Sequence, residues 1–135
     1  MSAPRLLARS EFGSAWATWV GGLKVETGGD AMLVYQIIGG HPVGDWPTDA
    51  AQRVYLALDE SGRPAYAGQT RGTLRGRLAG HRSTGMSRDW AWLVFVTMPN
   101  VSAQELDAVE TSARRFFLFG PSLVGRRHPK ERARV

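Results

Sequence analysis

The sequence predicts an α/β (α+β) fold: a β-β-α-β-α core behind an N-terminal helical extension. Three observations carry this. Arg53–Leu58 alternates in the manner of a strand, with Val54, Leu56 and Leu58 on one side. Trp90 to Thr97 is a β-prone run, apolar on both faces, as suits a covered strand. Ser102 followed three residues later by Glu105 is a capping box that opens a long amphipathic helix.

The elements follow in order. Phe12, Ala15, Trp16, Trp19, Val20 and Leu23 recur at helical spacing, so a helix is expected after Ser10, ending at Gly21-Gly22. Its two tryptophans are expected in the core, where Trp is usually buried. Ala31 to Ile38 is a short apolar run, either a strand or a buried helical turn. Gly39 to Thr48, with Pro42, Gly44 and Pro47, reads as loop and separates an accessory segment (residues 1–50) from the core domain (51–125). Asp59-Glu60-Ser61-Gly62 is turn chemistry, and Ala65-Tyr66-Ala67-Gly68 resumes an extended segment, closing a hairpin. Thr73 can cap a helix from Leu74 to about Arg82, and the last helix should end near Gly120-Pro121. Residues 126–135 form a basic tail that is expected to be mobile.

Composition narrows the function classes. With 43% hydrophobic and 21% charged residues the chain is that of a soluble globular domain. No apolar run reaches the ~18–20 residues of a membrane span, and the absence of cysteine excludes disulfides and thiolate zinc sites and suits the cytoplasm. Lys plus Arg is 17 against 12 acids, for a formal charge of +5 and a pI near 10.4, which favours polyanionic partners. From Arg63 to Arg88 there are six arginines and no acid. Arg63, Arg71, Arg75, Arg82 and Arg88, with Arg126 and Arg127 of the tail, are therefore expected to face phosphate.

Tyr55 and Tyr66 sit on the hairpin with ten residues between them. A turn centred on Glu60-Ser61 places them opposite each other, on the face away from Val54 and Leu56. On the next helix Arg77 and His81 lie one turn apart beside Leu74 and Leu78. Gly76 and Gly80 interrupt that helix at ~1 kcal/mol each relative to alanine, as close approach of a phosphate strand or of another helix would require. Leu106, Val109, Ala113, Phe116 and Phe117 form the apolar face of the last helix, and Glu110 lies about 40° from Leu106 and about 20° from Phe117. A carboxylate in an apolar stripe must be paired with a cation, either an arginine or a metal ion.

These residues form an ordered set. Arg53-Val54-Tyr55, then Tyr66-Ala67-Gly68-Gln69-Thr70, then Leu74-Arg75-Gly76-Arg77-Leu78 and His81, with Glu110 on a later helix, resemble the GIY-YIG nuclease family over about half the chain. The resemblance implies a small three-stranded antiparallel sheet flanked by helices and metal-assisted cleavage of nucleic acid, DNA ahead of RNA, by a monomer or homodimer. By the same resemblance Tyr55 and Tyr66 are the motif tyrosines and Arg77 the catalytic arginine. His81 stands where many members have a histidine, and Glu110 is the ligand of Mg²⁺ (or Mn²⁺). The chain departs from the pattern at Arg53, in place of the first glycine, and at Ala67. The loop before Arg77 is one residue longer than usual, making Arg75 its rival, and Pro121-Ser122-Leu123-Val124 lacks the asparagine common there. The function implied is a metal-dependent endonuclease. The alternatives are a non-catalytic nucleic-acid-binding or interaction module on the same fold, and an RNA-cleaving toxin.

Overall fold

The computed structural model describes residues 5–6 and 11–119. The tail with Arg126 and Arg127, the Pro121–Val124 segment and the expected helix end at Gly120-Pro121 lie outside the described residues. In chain order the elements are β1 (Arg5–Leu6), α1 (Glu11–Gly21), β2 (Leu33–Ile38), β3 (His41–Val43), β4 (Arg53–Leu58), β5 (Pro64–Thr70), α2 (Leu74–Ser83), β6 (Trp92–Thr97) and α3 (Ala103–Arg114). A π-helical stretch, Arg115–Phe119, follows.

The expected three-stranded sheet is too small. The three anticipated strands are present in the order β6-β4-β5, but β2 pairs antiparallel with the far edge of β6 and the sheet continues to five strands in a row, β1-β2-β6-β4-β5. The short β3 also pairs with β2. The physical reason is edge protection. Without β2, the strongly apolar β6 would expose a row of unpaired backbone groups. The segment preceding the core is therefore not only helical, and the Ala31–Ile38 run resolves as a strand. Gly39 to Thr48 is likewise not all loop. Gly39 and Gly40 have φ of 59° and 81°, the pair of left-handed residues that a two-residue hairpin turn requires, and Ile38 pairs with His41 across it.

Alternation along β4 sorts the core into two layers. Val54, Leu56 and Leu58 face one side with Ala67, Val94 and Val96, and α1, α3 and the π-helical stretch cover them through Phe12, Trp16, Trp19, Leu106, Val109 and Phe117. Tyr55 and Ala57 face the other side with Tyr66, Phe95 and Tyr35, covered by Leu74 and Leu78 of α2 together with Trp46 and Trp90. The first motif strand is buried on both faces.

Three aromatic residues of α1 close on Phe117, with ring centroids at 5.6 to 5.8 Å. Both tryptophans are core residues whose indole N–H groups are satisfied: Trp16 donates to the Ala31 carbonyl at 2.7 Å and Trp19 to Ser112 Oγ at 3.0 Å. The capping box at Ser102 and Glu105 and the Thr73 cap form as the sequence predicts. Phe116 does not belong to the apolar face. It is exposed, and Leu118 is buried in its stead. The wider turn of the π-helical stretch carries more residues per turn and rotates the positions after Arg114 out of the 100° phase. No helix among the described residues is long and apolar enough to cross a membrane.

Because Trp16 is fully buried at the centre of the α1 contact, Trp16→Ala should destabilise the fold by ~3–5 kcal/mol. Urea denaturation followed by fluorescence checks this; a loss below ~1 kcal/mol would mean that α1 does not pack as described.

Candidate active site

β4, β5 and α2 bring together three of the expected residues. Tyr55 lies in mid-strand on β4, buried, and its Oη is 2.6 Å from His81 Nε2. Arg77 Nε donates to the same oxygen at 3.2 Å. The Thr73 cap sets where α2 begins, so Arg77 and His81, four residues apart, reach one phenol from one flank of the helix. His81 is buried, whereas Arg77 is exposed and carries its guanidinium at the rim. Arg75, the rival, points elsewhere: its Nη2 donates to the Gly44 carbonyl at 3.4 Å.

Tyr66 shares the face but does not stand opposite Tyr55. The turn centres on Ser61, with Leu58 opposite Pro64, and a register irregularity between Ala57 and Leu58 adds one more residue of shift. Tyr55 then pairs with Gly68 and Ala57 with Tyr66, so the two tyrosines are diagonal neighbours with ring centroids 6.3 Å apart. The Tyr66 ring stands edge-on to His81 at 4.9 Å. Gly68 is required by this packing. A Cβ there would lie 2.6 Å from Tyr55 Cζ and 2.9 Å from Tyr66 Cε2, so the phenol lies directly across a strand position that has no side chain.

Behind Tyr55, Arg77 and His81 is a cavity of about 10 Å³ walled by Trp46, Leu74, Leu78, Trp90 and Leu93, room for one water at most. Trp46 comes from the segment before the core, so the accessory residues complete the wall. Burial pushes the Tyr55 phenol well above its usual range and raises Tyr66 too, and Arg77 only partly offsets this. Tyr35 is raised as well, chiefly by burial. The hydrogen bond to Tyr55 is the main reason the Arg77 guanidinium holds its proton still more firmly.

Glu110 stands on the other side of the sheet edge, with its side chain 14% exposed. Its Oε2 is ion-paired with Arg114 Nη2, and its Oε1 accepts from Gln69 Nε2 at 2.6 Å. The carboxylate in the apolar stripe thus has an arginine, and it is neither Arg77 nor Arg75. The i,i+4 spacing of Glu110 and Arg114 was the available signal. Glu110 nevertheless acts on the tyrosine cluster, adding to the upward push on Tyr55 and Tyr66 and to the hold on the Arg77 proton.

Among the described residues no group of three or more His, Cys, Asp and Glu is gathered as a metal cage. The donor chemistry still fits a hydrated Mg²⁺. Glu110 Oε1 and Asp107 Oδ1 both approach one point, the Gln69 amide nitrogen, at 2.6 Å, and such an ion retains several waters of its own.

The arginines are dispersed. Arg63 and Arg71 are exposed at opposite ends of β5, about 26 Å apart at strand rise. Arg82 is half-buried and donates to the Gly40 carbonyl at 2.9 Å, bracing the β2–β3 turn. Arg88 lines an open cleft of about 520 Å³ shared with Asp59, Glu60 and Asp89. Folding thus brings acids from outside the acid-free stretch beside it. A Cβ on Gly76 would meet only Thr73 Oγ1 among nearby atoms, at 2.9 Å, and one on Gly80 would meet nothing within 4 Å; no other helix explains either glycine. Gly68, Gln69, Trp46, Trp90 and Arg114 all shape the site; Gly68 and Gln69 fall inside the Tyr66–Thr70 motif segment, Arg114 is marked by its spacing from Glu110, and no local sequence signal gives Trp46 or Trp90 this role.

No protein-family model matches the chain, and neither a curated protein nor a solved structure matches it.

A phenol whose pKa is raised on folding binds its proton more tightly in the folded state. Its contribution to stability is complete below the unfolded value of 10.0 and is lost as pH rises through the folded one. All three tyrosines of the chain are raised. Near pH 10, where about half of free phenols ionise, tyrosinate absorbance should therefore stay well below half its denatured value, and the later rise should coincide with unfolding. Half-ionisation near pH 10 in the folded protein would contradict the burial described.

Proposed function

We propose that this domain is a nuclease that hydrolyses phosphodiester bonds of nucleic acid, DNA ahead of RNA, in the manner of the GIY-YIG family it resembles, with a divalent cation, Mg²⁺ or Mn²⁺, as cofactor. The observation that carries the reading is the three-way contact at Tyr55 Oη, 2.6 Å from His81 Nε2 and 3.2 Å from Arg77 Nε, with the Glu110 carboxylate across the sheet edge.

The contact has a chemical sense. Burial keeps the phenol protonated and Arg77 donates to its oxygen, so the arrangement that satisfies both has the Tyr55 O–H donating to a bare His81 Nε2. As a water attacks phosphorus, its proton passes to Tyr55 Oη while the phenolic proton passes to His81, and no free phenolate is needed. Arg77 also bonds to Tyr66, and its remaining N–H donors at the exposed rim serve the non-bridging oxygens, where charge accumulates. Tyr66 packs against His81 and fixes its ring plane. Glu110 would hold a divalent ion, which would supply charge relief for the departing 3′ oxygen.

A second reading rests on the Glu110–Arg114 ion pair. An arginine already neutralises the carboxylate, as in a domain that binds nucleic acid or another partner without cutting it. Supercoiled plasmid and a panel of structured RNAs, incubated with Mg²⁺ or EDTA, separate the two. The nuclease should nick in Mg²⁺ only, and Glu110→Ala should abolish cleavage while leaving binding largely intact. Binding with no cleavage in any condition selects the second reading; cleavage by Glu110→Ala removes that residue from the mechanism.

Arg77→Ala should lower the cleavage rate about 100-fold or more, and Arg75→Ala should lower it far less, because Arg75 makes no contact with Tyr55. Single-turnover kinetics at saturating enzyme measure both, and the reverse order would transfer the catalytic role to Arg75.

A further inference from the structure

Consecutive residues of β5 serve opposite sides of the sheet. Gly68 pairs with Tyr55 and clears the space its ring occupies. Gln69 pairs with Val54, so its side chain projects to the opposite face, where α3 packs. There its single amide nitrogen donates to Asp107 Oδ1 and to Glu110 Oε1, each at 2.6 Å. These acids are one helical turn apart on α3, and Arg114 engages only the other oxygen of Glu110. Two carboxylates and one guanidinium leave the spot with a net negative charge, and a neutral amide is what stands in it.

We propose that Gln69 is a positioning residue for Glu110 whose amide presents either end. Its nitrogen faces the carboxylates in the free protein, and its oxygen turns toward a divalent cation held at Glu110. The inference rests on the reading of Glu110 as the cation-holding carboxylate. The residue type fits both states. One planar group carries two donors, which hold the two acids in place against their mutual repulsion, and an acceptor, which suits a hard cation. A lysine would neutralise the spot permanently, and an aliphatic residue would leave the two carboxylates unrestrained. Because β5 is the edge strand, the amide also ties the α3 half of the site to the strand that carries Gly68 and Tyr66.

Mn²⁺ binding to the full-length chain, followed by water-proton relaxation, tests this without relying on cleavage. Gln69→Leu should weaken Mn²⁺ binding about tenfold or more. Gln69→Glu cannot donate to the acids but supplies an oxygen to the cation, so it should bind Mn²⁺ at least as tightly as the unaltered chain. A brace with no part in cation binding would make the two variants alike, whether both unchanged or both weakened, and either result overturns the proposal. The unaltered protein gives a measurement independent of variant folding: the side-chain amide NMR signals of Gln69 should shift on addition of Mg²⁺, and unmoved signals also overturn it. Glu110→Gln separates the two levels of inference. If the unaltered chain binds no Mn²⁺, or binds it equally well with Glu110→Gln, the cation reading of Glu110 fails and takes this proposal with it. If Glu110→Gln abolishes binding while the Gln69 variants behave alike, only the role of Gln69 is lost.

Discussion

The close approach of the Tyr55 ring to the backbone of Gly68 is the contact on which the site depends. A buried phenol needs a partner for its hydroxyl and room for its ring, and a neighbouring strand normally fills that room with a side chain. Here the room exists because Gly68 has none. The ring therefore lies across β5, where its oxygen meets both Arg77 and His81 of α2. Any side chain at position 68 would push the phenol toward α2 and break the geometry of both bonds.

The surrounding layers keep this cluster dry. Trp46, Trp90 and the leucines of α2 wall it, and the raised phenols follow from that enclosure. Burial of a hydroxyl is tolerable because its hydrogen bonds are made within the cluster. Residues before the core contribute doubly, since β2 covers the outer edge of β6 while Trp46 seals the flank beside α2. Arg53, where the resembling family has glycine, is also absorbed into structure: it is buried, bonded to Asp49 and Thr97, and lies over the Phe95 ring at 5.2 Å.

The sheet divides the site electrostatically. Tyr55, Tyr66, Arg77 and His81 occupy one face, and Glu110, Asp107 and Arg114 the other, with the edge strand between them. A phosphate bridging the two groups would lie around the edge of β5, where no further strand of the described residues intervenes. The arginines are less unified than their spacing along the chain implies, because strand length carries Arg63 away from Arg71 and folding sets Asp59, Glu60 and Asp89 beside Arg88.

Elements with strong local signals were legible in the sequence: the Ser102–Glu105 capping box, the Thr73 cap, the two-sided burial of β6 and the aromatic stripe of α1. Each arises from interactions within a few residues, so the chain order alone specifies it. The convergence of Arg77 and His81 was also readable, since both project from one helical flank. Tertiary structure alone decided the number of strands, because the edge of β6 is covered by residues some 55 positions earlier in the chain and strand pairing at that separation leaves no periodic trace. It decided the diagonal register of the tyrosines through a turn centred on Ser61 and an irregularity at Ala57 and Leu58, neither of which composition encodes. It placed Gln69 between Asp107 and Glu110, 38 and 41 residues away, since which side chains meet across a sheet edge depends on how whole elements pack.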